Sequence, residues 1–149
     1  MNIATELEKN IDKHLETLHS ISENDLAFKP SPTKWSKKEI IGHMVDSAMN
    51  NIRRFIVAQY ENEPHIVYKQ DNWVSLSNYQ NYNSSELIQL WYLLNKHLVN
   101  VLKNIPEENL QLKCETEDIH TLEWLAEDYL KHLKHHLHQV LQLEPVAYP

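Results

Sequence analysis

The chain has 149 residues with a formal net charge of −7, one glycine (Gly42), six prolines and one cysteine. Its length suits one domain, read as residues 1–149, with a single sizeable core, and the scarcity of glycine argues against a turn-rich β-sandwich or barrel. The acidic balance, with no dense Lys/Arg block, argues against a nucleic-acid partner, and a lone cysteine rules out an intrachain disulfide.

The opening "MNIATELEKNIDKHLETL" carries charges through its apolar positions, so no signal-peptide core is visible. No run approaches a membrane span, and the expected class is a soluble cytoplasmic protein without a membrane partner. Residues 3–21 place Ile3, Leu7, Ile11, Leu15 and Leu18 on one helical stripe. "FKPSPTKW" then stops the helix with two closely spaced prolines. "SKKE" reads as a capping box: Ser36 accepts from the amide three residues on, and Glu39 reaches back to the Ser36 amide. A second helix is expected from there to Tyr60, with Ile40, Met44, Ala48, Phe55 and Ala58 on its apolar side.

Residues 61–84 show no sustained period. A third helix is expected over 85–105, with Leu87, Leu90, Trp91, Leu94, Leu98, Val101 and Leu102 inward and Pro106 closing it. After a polar connection, Thr121 is a candidate N-cap for a fourth helix over 122–142. Four amphipathic helices predict an all-α four-helix bundle. The crossover between the second and third helices is longer than an antiparallel hairpin needs and can return along a ~30 Å helix. The predicted topology is therefore up-down-down-up, with the second and fourth helices antiparallel.

The fourth helix carries four histidines in "HLKHHLH". At about 100° per residue, Leu125, Tyr129, His132, His136 and Val140 fall within an arc of about 80°. His135 lies roughly 80° outside that arc and His138 on the opposite side, so both are expected to face water. A His pair at i and i+4 offers two imidazoles to one metal ion, although "HLKHH" lacks the glutamate of the "HExxH" motif. The alternative is two core histidines with hydrogen-bonded neighbours. His43 supplies a possible third ligand. It sits ~10 Å from the start of the second helix, and His136 sits ~9 Å from the end of the fourth, so antiparallel neighbours bring them to the same depth. Three neutral imidazoles with an open fourth position suit a catalytic Zn²⁺ or Ni²⁺ site.

Ser47, Asn50 and Arg54 follow His43 at i+4, i+7 and i+11 as a polar stripe. It reads either as a solvated edge or as a pocket wall holding a polar or anionic ligand. Asp46 and Glu39, each about one turn from His43, are candidates to orient an imidazole or take a proton, with Glu39 also committed to capping. Gln139, one turn beyond His136, is another candidate orienting group. Trp73, in the crossover, either covers the pocket or pins the loop. Trp91 reads as core, and Cys114 as structural.

Together, "KWSKKEIIGHMVDS" and "DYLKHLKHHLHQV" resemble the second and last helices of the DinB/YfiT-like superfamily, and "VYKQDNW" resembles its middle portion more loosely. The resemblance implies an up-down-down-up bundle binding a divalent metal through His43, His132 and His136. It also implies homodimers, and activity as a metal-dependent hydrolase or as a transferase using a low-molecular-weight thiol such as bacillithiol or mycothiol. The expected function is hydrolysis or S-transfer on a small molecule. A non-catalytic metal-binding or stress-related bundle is the alternative.

Overall fold

The computed structural model describes residues 2–149. Its helices are α1 (Asn2–Ser20), α2 (Glu23–Ala27), α3 (Lys37–Val57), α4 (Gln70–Ser77), α5 (Ser84–Lys103) and α6 (Leu122–Leu141). Two short strands, β1 (Lys113–Glu115) and β2 (Ile119–Thr121), pair antiparallel just before α6. The four long helices α1, α3, α5 and α6 are the four expected from periodicity, with ends within about three residues of those expected.

Side-chain pairs establish the topology. Between α1 and α5, Tyr92 donates to Asp12 at 2.9 Å while Lys96 and Lys103 both reach Glu8 at 2.6 Å, so these helices run antiparallel. Between α1 and α6, Glu6 meets Lys134 and His14 lies 6.5 Å from His138, so these run parallel. Between α3 and α6, His43 lies against His136 while Ser47, one turn on, meets His132, one turn back, so these run antiparallel. α3 therefore runs parallel to α5, and the bundle is up-down-down-up. Its core holds Leu7 and Ile11 from α1, Ile41 and Phe55 from α3, Leu87 and Trp91 from α5, and Leu133 and Leu137 from α6.

The helix starts follow local chemistry. Ser36 and Glu39 form the reciprocal capping box, with Ser36 Oγ accepting from the Glu39 amide and Glu39 Oε1 from the Ser36 amide, each at 3.1 Å. Thr121 caps α6 through the Trp124 amide at 3.1 Å. Asn83 caps α5, moving its start to Ser84. Each cap satisfies amides that lack a partner inside the helix.

The crossover is more ordered than its lack of a period suggests. It holds α4 and a 3-10 turn, Tyr79–Asn81. Asn78 ends α4 in the left-handed region, φ 52°, which asparagine tolerates better than most residues. Tyr79 then lays its ring on α3 over Gly42, where a Cβ would come within 2.1 Å of the ring. Glycine in a helix interior costs about 1 kcal/mol relative to alanine, and here the missing Cβ is what admits the ring. The Tyr79 hydroxyl donates to Asp46 Oδ1 at 2.6 Å.

The connection between α5 and α6 also holds more structure than expected, a 3-10 turn and the β1–β2 hairpin. The Ile66 amide donates to the Glu115 carbonyl, and the Glu115 amide to the Pro64 carbonyl, both at 2.9 Å. The start of the crossover is thus tied to the hairpin beside the N-terminal end of α6. Cys114 is fully buried, its thiol 3.3 Å from the Pro64 carbonyl, and burial raises its pKa, consistent with a structural cysteine. No described helix is long and apolar enough to cross a membrane.

Candidate metal centre

His43 enters from α3, His132 and His136 from α6. One ring nitrogen from each lies within 4.8 Å of the other two. His43 Nε2 and His132 Nε2 are 3.0 Å apart. Two ligands on one tetrahedral ion at 2.0–2.1 Å would be ~3.3 Å apart, so this pair would open by only a few tenths of an ångström around one.

The outward nitrogens matter as much as the inward ones. His136 Nδ1 lies 2.8 Å from Gln139 Oε1, and an amide oxygen only accepts, so Nδ1 carries the proton and Nε2 keeps its lone pair. His132 Nδ1 lies 3.4 Å from Ser47 Oγ. His43 Nδ1 is buried without a hydrogen-bond partner, and its ring packs at 4.9 Å against Trp35. Burial, reinforced by the neighbouring imidazoles, lowers the His43 pKa to about 4 and pushes His132 well below the ordinary histidine value. His136 is lowered too, mainly by burial, with Gln139 opposing. All three are therefore neutral at pH 7, as nitrogen ligands must be.

The site stands between two cavities. One, of about 810 Å³, is lined by His136, Gln139, Trp35 and Gln70. The other, of about 610 Å³, is lined by His132, Ser47, Arg54, Tyr68, Asp128 and Tyr148. Gln70, the first residue of α4, borders both.

The remaining candidates divide. Gln139 and Ser47 touch the imidazoles directly, as above. Arg54 lines the second cavity, its guanidinium donating from Nε at 3.1 Å and Nη2 at 2.9 Å to the Ile66 carbonyl. Asn50 instead donates back to the Asp46 carbonyl of its own helix at 2.9 Å. Trp73 lies on α4, more than a third exposed, with its ring against Tyr68. Glu39 holds the cap and accepts from Lys29 at 2.7 Å. Asp46 makes no hydrogen bond to His43. Its Oδ1 takes the Tyr79 hydroxyl, its Oδ2 is buried without a partner, and burial raises its pKa to about 6.

His135 and His138 do not simply face water. The chain after α6 turns back along the helix, placing the Val146 carbonyl 2.6 Å from His135 Nδ1 and the Glu144 carbonyl 2.7 Å from His138 Nδ1. This brings Tyr148 to a ring separation of 5.1 Å from His132, with its hydroxyl donating to Asp128 at 2.9 Å. Helical phase places a residue around a helix but says nothing of a segment that folds back onto it. Tyr148, Tyr68 and Trp35 were therefore not identified from periodicity. Tyr79 had one signal, the chain's single glycine in a helix interior.

Known proteins share the fold. The structure of YfiT from Bacillus subtilis, described as "a probable metal-dependent hydrolase with an unusual four-helix bundle topology", superposes with a TM-score of 0.85 at 21% identity, covering 95% of this chain and 83% of that one. A Halalkalibacterium halodurans protein named "Putative metal-dependent hydrolase" is 28% identical over 126 residues, 83% of this chain and 73% of its own. A Bacillus cereus (strain AH820) protein bearing the same description is 33% identical over 78 residues, 52% of this chain. That match spans less than half of the relative's own length, 44%. The profile of the DinB superfamily matches residues 6–140, which take in all three histidines and all four long helices save the ends of α1 and α6, and the chain belongs to that superfamily.

Proposed function

We propose that the chain is a metal-dependent enzyme acting on a small molecule, with His43, His132 and His136 as the protein ligands of a divalent ion, Zn²⁺ or Ni²⁺. The observation that carries this reading is the convergence of three neutral imidazoles within 4.8 Å. Three nitrogen ligands leave a position open for a reactant, as in catalytic sites. The names of the relatives point to the same class of chemistry.

A divalent ion held there supplies Lewis acidity and lowers the pKa of a bound water or thiol. The chain's own residues prepare the place. Burial keeps the imidazoles unprotonated, and Gln139 sets the tautomer and ring angle of His136. Tyr148 and Tyr68 wall the cavity beside His132. The proposed reactions are hydrolysis, with water as nucleophile, and S-transfer, with a low-molecular-weight thiol.

Metal analysis of tag-free protein is expected to find one equivalent in wild type and none in His132→Ala; no metal in either rejects the site. Turnover of an ester panel, and of electrophiles with a bacterial thiol, separates the two reactions. Turnover that survives complete metal removal would reject the mechanism, and none with any substrate would leave a binding protein.

A further inference from the structure

Arg54 is the feature that the three histidines do not account for. Ion pairs hold other cations in the fold, including the buried Lys38, whose Nζ lies 2.8 Å from Glu23. Arg54 is partly buried, yet among the described residues no carboxylate lies within 4.0 Å of it. Burial pulls its pKa below the ordinary arginine value. A charge drawn partly out of water without an ionic partner is costly unless something offsets its lost hydration.

The hydrogen-bond pattern shows what is left over. Nε and Nη2 both donate to the Ile66 carbonyl, fixing the plane of the guanidinium from one edge. Nη1 makes one long contact, 3.4 Å, with Asn51 Oδ1. Of five N–H donors, two therefore remain, one on each terminal nitrogen, and such a pair can form the fork that matches a planar carboxylate. Tyr68 lies under the group, with its ring centre 5.9 Å from Arg54 Cζ.

We propose that Arg54 and the cavity that it shares with His132 form an anion subsite taking the carboxylate of an elongated small molecule, whose other end reaches the three histidines. The orientation rests on the function proposed above; the subsite itself does not. Ser47 touches His132, and Arg54 follows it by seven residues, ~10 Å along α3. A ligand bridging the two is longer than acetate. The acidic residues Glu117 and Asp118 are exposed on the lining of the same cavity, while Ser47 and Asn51 are buried, so the anionic end belongs on the inner, Arg54 side. Asp128 also lines the cavity, and its carboxylate accepts the Tyr148 hydroxyl.

The chain's only arginines are Arg53, exposed, and Arg54, which gives an internal control. Metal-stripped protein is titrated with hexanoate and with its uncharged isostere hexanamide, following the arginine Nε–H resonances by NMR. Hexanoate is expected to shift the Arg54 signal and leave Arg53 in place, and to bind about tenfold more tightly than hexanamide, as a charge-assisted bidentate contact should. Arg54→Lys is expected to lose most of that preference, and Arg54→Gln all of it. Equal affinity for the two probes, an unmoved Arg54 resonance, or a preference retained in Arg54→Gln overturns the subsite. Should Arg54→Gln fail to fold through loss of the Ile66 contact, the wild-type probe pair and Arg54→Lys decide the matter. Because no metal is present, failure of the histidine reading leaves this result standing. Zinc binding retained in the Arg54 variants separates the converse case.

Discussion

His43 Nε2 and His132 Nε2, 89 residues apart in the chain, stand 3.0 Å apart across the α3–α6 interface. Two neutral imidazoles at this distance share one proton: one Nε2 donates and the other accepts. A metal ion between them requires both lone pairs, so that proton must move to an Nδ1. Nitrogen-15 NMR of metal-free protein is expected to show one of the two rings as the Nε2–H tautomer. Adding zinc is expected to convert that one ring, leaving all three site histidines as Nδ1–H. A tautomer pattern that ignores zinc would rule out ligation through these nitrogens.

Gln139 touches His136 through Nδ1 and is itself exposed. Gln139→Leu removes the acceptor that sets the tautomer, and such losses typically weaken metal affinity by 10–100-fold. Stability should stay within about 0.5 kcal/mol, as for most exposed positions. Competition with a chromophoric chelator measures the first and urea unfolding the second. Unchanged zinc affinity would reduce the contact to a surface hydrogen bond.

Gly42→Ala tests the seat of the crossover. Alanine favours the helix by about 1 kcal/mol, but its Cβ meets the Tyr79 ring at 2.1–2.7 Å. Overpacking of this kind costs about 1–3 kcal/mol, and displacing the ring also strips Asp46 of its hydroxyl partner. A net loss of stability is expected, reversed in sign when Tyr79 is first changed to alanine. If alanine stabilises both backgrounds equally, the ring does not depend on that space.

Acid should destabilise the metal-free protein. His43, His132 and His136 all have folded pKa values below the ordinary 6.5, with His43 at about 4. Between those values the unfolded chain binds protons that the folded chain refuses, so stability falls as pH drops from about 6.5 towards 4. Asp46, raised from 3.8 to about 6, acts oppositely over an overlapping range. His14, also lowered by burial, adds to the three site histidines, and the net effect is loss. Urea midpoints in chelator from pH 7.5 to 4.5 should decline, more steeply in Asp46→Asn, which keeps an acceptor for Tyr79 but cannot titrate. A midpoint that holds steady or rises on acidification would contradict these burial effects.

Much of this was legible beforehand. The Ser36–Glu39 box and the Thr121 cap depend on neighbours within three residues, so they appear in the sequence as they do in the fold. The crossover's length predicted a parallel α3 and α5, and the i, i+4 spacing singled out His132 and His136. The less legible parts depend on segments without a period. α4 is only eight residues long, and the β1–β2 strands have three residues each, too short for a repeat to show.

By itself, then, the sequence determined four amphipathic helices, the caps of α3 and α6, the order of the helices and three histidines at compatible depth, because each follows from local spacing and chain length. Only the tertiary structure decided the surroundings of those histidines. Tyr79 could seat itself on α3 because Gly42 lacks a Cβ there. His135 and His138 turned from water to the Val146 and Glu144 carbonyls because the chain after α6 folds back. Arg54 was left with an open fork because the hairpin fixes Ile66 in its path. These are contacts between residues far apart in the chain or on segments without a repeat, and their energies depend on packing that periodicity does not encode.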